Sequence, residues 1–376
     1  MNDGTQYDVA IAGGGMAGLS AAIMLGRKGH RVVLFEKESY PFHKVCGEYI
    51  SLESWDFLLS LQLKLEEWKL PVIKNLSLTS PDGTELHQHL PLGGFGISRY
   101  RIDQELRNIA LRNNVQIHEG TRVQGISFAN EIFHVQTDKG TWASSVCCSA
   151  TGKRSNLDVK WRRPFVLEKP NALNNFIAVK YHALLEHPRS LIALHNFQDG
   201  YCGISPIEDN KTCICYLTNA SSLRKNNNDI RLMEEKILFR NVFIKEAFEN
   251  ASMQFDKPLT ISQISFDRKE QVTDHVLMLG DAAGMITPLC GNGMSMALSG
   301  SKIAVGYIEQ FLAHKINRQQ LENNYALEWK KTFGRRLWAG RVIQSLFGKE
   351  WITNKTVRIL KYFPGIVQNI ITQTHG

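Results

Sequence analysis

The strongest constraint on the fold lies in the first forty residues, where an apolar run, Tyr7-Asp8-Val9-Ala10-Ile11-Ala12, leads directly into Gly13-Gly14-Gly15-Met16-Ala17-Gly18. The first glycine of such a series permits a tight turn, the second lets another group approach the backbone, and the third allows helix and strand to pack closely. Helical spacing follows, with Leu19, Ala22, Ile23 and Gly26 on one face up to about Lys28, and Gly29 ends it. Arg31-Val32-Val33-Leu34-Phe35-Glu36 then predicts a second strand. The unit reads strand, glycine turn, helix, strand, and its crossover should be right-handed.

A helix N-terminus in this setting presents backbone N–H groups and partial positive charge to a pyrophosphate, so Gly13, Gly15, Met16, Ala17 and Gly18 are the candidate contacts. Glu36 stands 23 residues after Gly13, where a carboxylate can accept the hydroxyls of an adenosine ribose. That carboxylate disfavours a 2′-phosphate, so the site suits FAD or NAD and not NADP.

The chain has 376 residues, 43% hydrophobic and 21% charged, which is enough for two domains and a sizeable core. A disulfide mini-protein, a collagen-like repeat and a disordered tail are excluded. Lys and Arg number 44 against 36 Asp and Glu, a net charge of +8 that favours anionic partners such as phosphorylated cofactors or acidic lipid. Seven cysteines without regular spacing, and no signal peptide ahead of Tyr7, point to free thiols in a cytoplasmic protein. No Cys or His spacing suggests zinc or another metal. No run reaches the ~18 apolar residues of a membrane span, so membrane contact would be peripheral.

Further along, Leu76 to Ile97 alternates around a Pro81-Asp82-Gly83 turn, predicting an antiparallel hairpin. Ile102, Leu106, Ile109 and Ala110 mark a helix, and strands follow near 115–117 and 132–136. Phe176–Tyr181 and Thr212–Leu217 also read as sheet, so a second, mostly antiparallel domain is spliced into the first. The expected cofactor pieces are 1–75, 98–157 and 270–320, the inserted substrate sheet 76–97 and 158–269, and a helical region 321–376.

Val276-Leu277-Met278-Leu279 predicts another buried strand, ending in Gly280-Asp281-Ala282-Ala283-Gly284, and Pro288 through Met294 lead into a helix from about Gly293. Together with the glycine turn, these residues resemble the FAD-dependent oxidoreductases of the glutathione-reductase-like fold. The resemblance is to the group that holds the geranylgeranyl reductases and the p-hydroxybenzoate hydroxylase-like aromatic-ring hydroxylases. It implies an α/β fold: an FAD-binding Rossmann domain, an inserted mostly antiparallel sheet and C-terminal helices. It also implies that Asp281 hydrogen-bonds the ribityl chain and that Gly280, Pro288, Gly291, Asn292, Gly293 and Met294 lie along the flavin. Amides at the Gly293 helix start would stabilise negative charge on a reduced ring.

Lys44-Val45-Cys46-Gly47-Glu48 resembles the Cys-Gly-Glu motif of the reductase branch, whose cysteine lies near the flavin, and Arg99 through Leu106 resembles its Arg-x-x-x-Asp-x-x-Leu helix start. Arg99, Lys44 and Cys46 are thereby added to the expected cofactor contacts, and Lys37 and Val123 are counted with them. Cys46 could protonate a substrate carbon, adjust the flavin potential, or serve as a small buried hydrophobe. The chain departs from the hydroxylases in carrying Thr151 where they have Asp, and from the reductases in carrying Gly203 where they have Trp, within Tyr201-Cys202-Gly203-Ile204-Ser205-Pro206. Flavin halogenases of the group need two tryptophans that this strand lacks. Tyr201, Gly203 and His195 are candidate substrate-facing residues; Cys290 could lie near the ring or simply pack.

From Leu327 to Lys361 there are nine Lys or Arg against two Glu, with Trp329, Trp338 and Trp351 interleaved. Such a segment can rest on an anionic bilayer or cap the substrate domain. The expectation is an FAD enzyme that reduces a carbon–carbon double bond of an apolar isoprenoid, acyl or polyketide-like substrate, with NAD(P)H as transient donor and a proton from Cys46, another acid or water. The alternatives are an FAD monooxygenase acting on an aromatic or polyketide-like compound and a flavin-binding scaffold without turnover. Nucleic acid is not expected as a partner, and oligomeric state stays open.

Overall fold

In the computed structural model, which describes residues 6–171, 173–346 and 349–375, two sheets share the chain. The first is eight-stranded and runs Val272–Thr273, Val276–Met278, Gly140–Ser149, Gln6–Ala12, Val32–Phe35, Gln116–His118, with the hairpin Val123–Ala129 and Ile132–Thr137 attached to Gly140–Ser149. From Val276–Met278 to Gln116–His118 every neighbour is parallel. Both faces of these strands are covered, which is why Val32–Phe35 is apolar throughout instead of alternating. The helix Met16–Arg27 packs against Arg99–Arg112 and Gly293–Leu312.

The second sheet is nine-stranded, in the order Ser252–Met253, Phe176–Leu184, Thr212–Asn219, Gly200–Pro206, Leu191–Phe197, Val72–Thr79, Glu85–Gly96, Tyr49–Ser51, with Leu259–Ile264 also on Phe176–Leu184. All its pairings are antiparallel except Leu191–Phe197 with Val72–Thr79. The predicted hairpin around Pro81-Asp82-Gly83 is present. The 1–75 piece expected of the cofactor domain needs correcting at two places: Val72–Thr79 already begins the second sheet at 72, and Tyr49–Ser51 pairs with Glu85–Gly96 as the edge of that sheet. Three residues are too short a strand to show alternation.

The long helix Arg318–Leu346 packs along Gly293–Leu312, and Pro364–His375 lies against Glu85–Gly96. Trp329, one of the aromatics of the segment expected to rest on a bilayer or cap the substrate domain, is 3% exposed. A Cβ at Gly284 would lie 2.5 Å from its indole, so the glycine makes room for the ring and Trp329 belongs to the core. Residues 347, 348 and 376 of the expected C-terminal region lie outside the described residues.

Candidate functional site

The parallel strands end level. Ala12 stands opposite Phe35 and Ser149, and Met278 opposite Ser149. The segments that follow them, Gly13–Gly15, Glu36–Lys44, Ala150–Arg154 and Gly280–Asp281, therefore leave the sheet at one edge, where ligands of open α/β sheets bind. They enclose a polar groove of about 680 Å³ whose lining includes Gly13, Gly15, Glu36, Lys37, Lys44, Arg99 and Val123.

Gly13 has φ +107°, and a Cβ there would sit 2.4 Å from the carbonyl oxygen of Ala150. Gly18 lines neither cavity; a Cβ on it would fall 2.1 Å from the Gly13 carbonyl, so its work is to let the helix close on the turn. Over Gly15 stand two cations, Arg99 Nη2 and Lys44 Nζ, 3.5 and 3.6 Å from where a Cβ would be. Arg99 grips Asp103 through two bonds of 3.0 and 2.7 Å, while Lys44 lies 3.3 Å from Asp103 and 3.8 Å from Glu36. Glu36 itself accepts from the amides of Gly14, at 2.9 Å, and Glu38, at 3.2 Å. A turn without side chains, flanked by two cations, with a carboxylate at the far end, suits a nucleotide pyrophosphate and its ribose.

A second cavity of about 220 Å³ continues from the groove, and Gly15, Val45, Arg99, Lys153 and Asp281 line both. Its lining includes Met16, Ala17, Cys46, Gly280, Asp281, Pro288, Gly291, Asn292, Gly293 and Met294 on one side and Tyr201 and Gly203 on the other. The glycine turn and Asp281, far apart in the chain, thus belong to one continuous space. The helix Gly293–Leu312 begins at its rim, so the amides of its first turn lie outside the helical ladder.

Cys46 Sγ lies 3.7 Å from Met294 Sδ. Two residues on, Glu48 is buried with φ +56° and accepts from Lys180 Nζ and the Arg99 amide, with His182 Nε2 2.6 Å from its other oxygen. Burial pushes the Glu48 carboxyl up, but Lys180 and His182 overcome this and hold it at about 2. Burial and the neighbouring His182 take His43 down to about 4. Glu48, His182 and Cys213 approach closely enough to share a metal ion, yet the Lys180 ammonium already sits on Glu48 and supplies the positive charge there.

At the far end, Ile192, Leu194, Leu217, Ile264 and Met285 make the wall apolar. A Cβ at Gly203 would meet Leu194 and Cys215 at 3.5 and 3.6 Å, ordinary contact distances. Tyr201 is buried, which pushes its hydroxyl well above the usual range, with Thr287 and Leu289 beside it. His195 does not line the cavity: Nδ1 is 2.9 Å from Thr79 Oγ1 and the ring stacks on Phe243. Cys290 is likewise buried outside the lining, against Gly340. Sequence reasoning missed Lys180, His182 and Lys269; two basic residues in the otherwise apolar strand Phe176–Leu184 were the available signal for the first pair.

The chain matches the family model of the FAD binding domain over residues 6–305. It is 26% identical over 367 residues to conditioned medium factor receptor 1 of Dictyostelium discoideum, covering 89% of this chain and 69% of that one. It is 22% identical over 358 residues to digeranylgeranylglycerophospholipid reductase of Methanosarcina mazei, covering 91% and 85%. Among solved structures, the flavin-dependent brominase Bmp2 superposes with TM-score 0.80 at 20% identity, covering 99% of this chain and 94% of that one. With the glycine turn, Glu36 and Asp281 along one groove and the family match spanning both sheets, this chain belongs to the FAD-binding domain family of FAD-dependent oxidoreductases.

Proposed function

We propose that the protein reduces carbon–carbon double bonds of an apolar substrate. The observation that carries this reading is the chemistry of the inner cavity, which Asp281 and the Cys46 thiol share with the apolar side chains Leu194, Leu217, Ile264 and Met285. An apolar wall binds hydrocarbon by excluding water and offers little to orient a polar ring. A relative bearing the name of an isoprenoid-lipid reductase supports the same class of substrate.

FAD, when bound, supplies two-electron chemistry at its ring, and NAD(P)H is the proposed donor. The chain's own residues bind and orient. Gly13, Gly15, Arg99 and Lys44 would hold the pyrophosphate, Glu36 the adenosine ribose, Asp281 the ribityl chain, and Gly280, Pro288 and Gly291–Met294 the ring edge. Lys37 and Val123 would flank the adenosine end. Cys46, which lines the inner cavity, would supply a proton from Sγ to a substrate carbon that has gained an electron pair. Tyr201 and Gly203 would shape the substrate end.

The functional pieces of the chain, on this reading, are the cofactor and substrate segments expected from the sequence, with Tyr49–Ser51 and the residues from Val72 on moved to the substrate sheet, in a cytoplasmic protein whose C-terminal helices rest on a membrane surface. Anaerobic mixing with NADPH or NADH, followed by mass analysis of candidate lipids and aromatics, tests the reaction. Gain of two hydrogens is the expected product. Gain of one oxygen under air would replace the proposal by a monooxygenase, and a flavin that no donor reduces would leave only a scaffold.

A further inference from the structure

The turn that carries Asp281 is held from behind by three side chains. Lys269 Nζ donates to the carbonyl of Asp281 at 2.8 Å, Arg163 Nη1 to that of Ala282 at 3.0 Å, and Gln271 Nε2 to that of Ala283 at 3.0 Å. All three residues are buried. Three successive carbonyls drawn to one side fix the orientation of the turn, since each peptide plane is rigid.

Lys269 does more than the other two. The same ammonium donates to the carbonyl of Lys153 at 2.7 Å. Lys153 and Asp281 both line the passage where the polar groove opens into the ring cavity. A single side chain thus joins the two lips of that passage from outside it. Lys269 lies in the segment that returns the chain from Leu259–Ile264 in the second sheet to Val272–Thr273 in the first.

The ammonium lies 4.4 Å from the centre of the Phe165 ring, whose face favours a cation. Burial pushes Lys269 down to about 8, against the pull of Asp281 and Asp158. Burying an ammonium costs free energy that its two carbonyl bonds and the nearby carboxylates must offset, so the side chain is tied to this one position.

We propose that Lys269 is a positioning residue for FAD: by joining the Lys153 and Asp281 carbonyls it sets the width of the passage through which the cofactor must run from pyrophosphate to ring. The inference rests on the FAD reading and adds a residue to it. It separates two halves of the nucleotide. ADP needs only the groove around Gly13, Glu36 and Lys44, whereas FAD must also thread the passage.

The test is a titration of the purified full chain and its Lys269→Met variant with FAD, by flavin fluorescence, and with ADP, by calorimetry. The variant should lose at least about tenfold in FAD affinity while ADP affinity stays within about twofold. An equal loss for both ligands means that Lys269 merely supports the fold, and no loss for either means that the passage does not depend on it; each result overturns the proposal. Should K269M not fold, Lys269→Gln, whose shorter amide cannot span both carbonyls, is read by the same ratio with the same expected direction. Failure of the unaltered chain to bind FAD would sink the FAD reading itself, a result distinct from any change in the ratio.

Discussion

At the scale of single residues, the proposed chemistry concentrates on Cys46 and on Glu48 behind it. Replacing Cys46 by Ala should lower substrate reduction by about 10²-fold, the usual worth of a positioned proton donor, with FAD affinity unchanged because the thiol holds no phosphate. Single-turnover reoxidation of reduced enzyme by substrate measures this directly, and an unaltered rate would return Cys46 to a packing role. Glu48 makes a different prediction. Its folded value of about 2 lies below the ordinary 4.5, so its contribution is present above pH 4.5 and is lost as pH falls through 2. That contribution is on the order of 3 kcal/mol. The stability difference between the unaltered chain and Glu48→Gln, from denaturant melts at successive pH values, should therefore shrink across that window; a constant difference would contradict it.

At the scale of elements, the strand, glycine turn and helix from Gln6 to Arg27 were legible because every signal there is local: apolar run, spacing of glycines, helical period. The hairpin from Val72 to Gly96 was legible for the same reason, through Pro81-Asp82-Gly83. What stayed hidden was long-range. Nothing in Leu191–Phe197 announces that it pairs in parallel with Val72–Thr79, because register between distant segments is decided by packing. Lys269 was hidden likewise, since its partners, Lys153 and Asp281, are neighbours only in space. The place of Trp329 stayed open between a bilayer-facing surface and a cap, because a basic helix with tryptophans looks alike from sequence whether the indole faces outward or inward. The glycine turn carries its own prediction. Gly13→Ala forces a Cβ to 2.4 Å from the Ala150 oxygen at a φ that L-residues avoid. The variant should be destabilised by about 1–3 kcal/mol and should lose FAD and ADP together, which melting with and without each nucleotide reads.

At the scale of the whole molecule, the net charge of +8 is unevenly used. Part of it lines the groove as Lys44, Arg99 and Lys153. Another part lies on and around the last two helices, Glu350–Leu360 and Pro364–His375, where Lys349, Lys355 and Lys361 are exposed, as are Trp351, Tyr362, Phe363 and Ile366. No helix among the described residues is long and apolar enough to cross a membrane. The proposed surface contact should appear as sedimentation with vesicles containing phosphatidylserine, weakened by salt. It should fall about tenfold when Trp351, Tyr362 and Phe363 are replaced by Ala. Equal sedimentation with neutral vesicles, or none with either, would remove the membrane from the account.

The interleaving of the two sheets has a consequence for how the protein is made. Gly13, Glu36 and Arg99 leave the ribosome early, while Asp281 and Gly293 come after the whole inserted sheet. A nascent chain halted between the inserted sheet and position 281 therefore owns one bank of the cofactor groove and lacks the other. An excised N-terminal fragment that ends before Asp281 cannot stand in for the intact polypeptide.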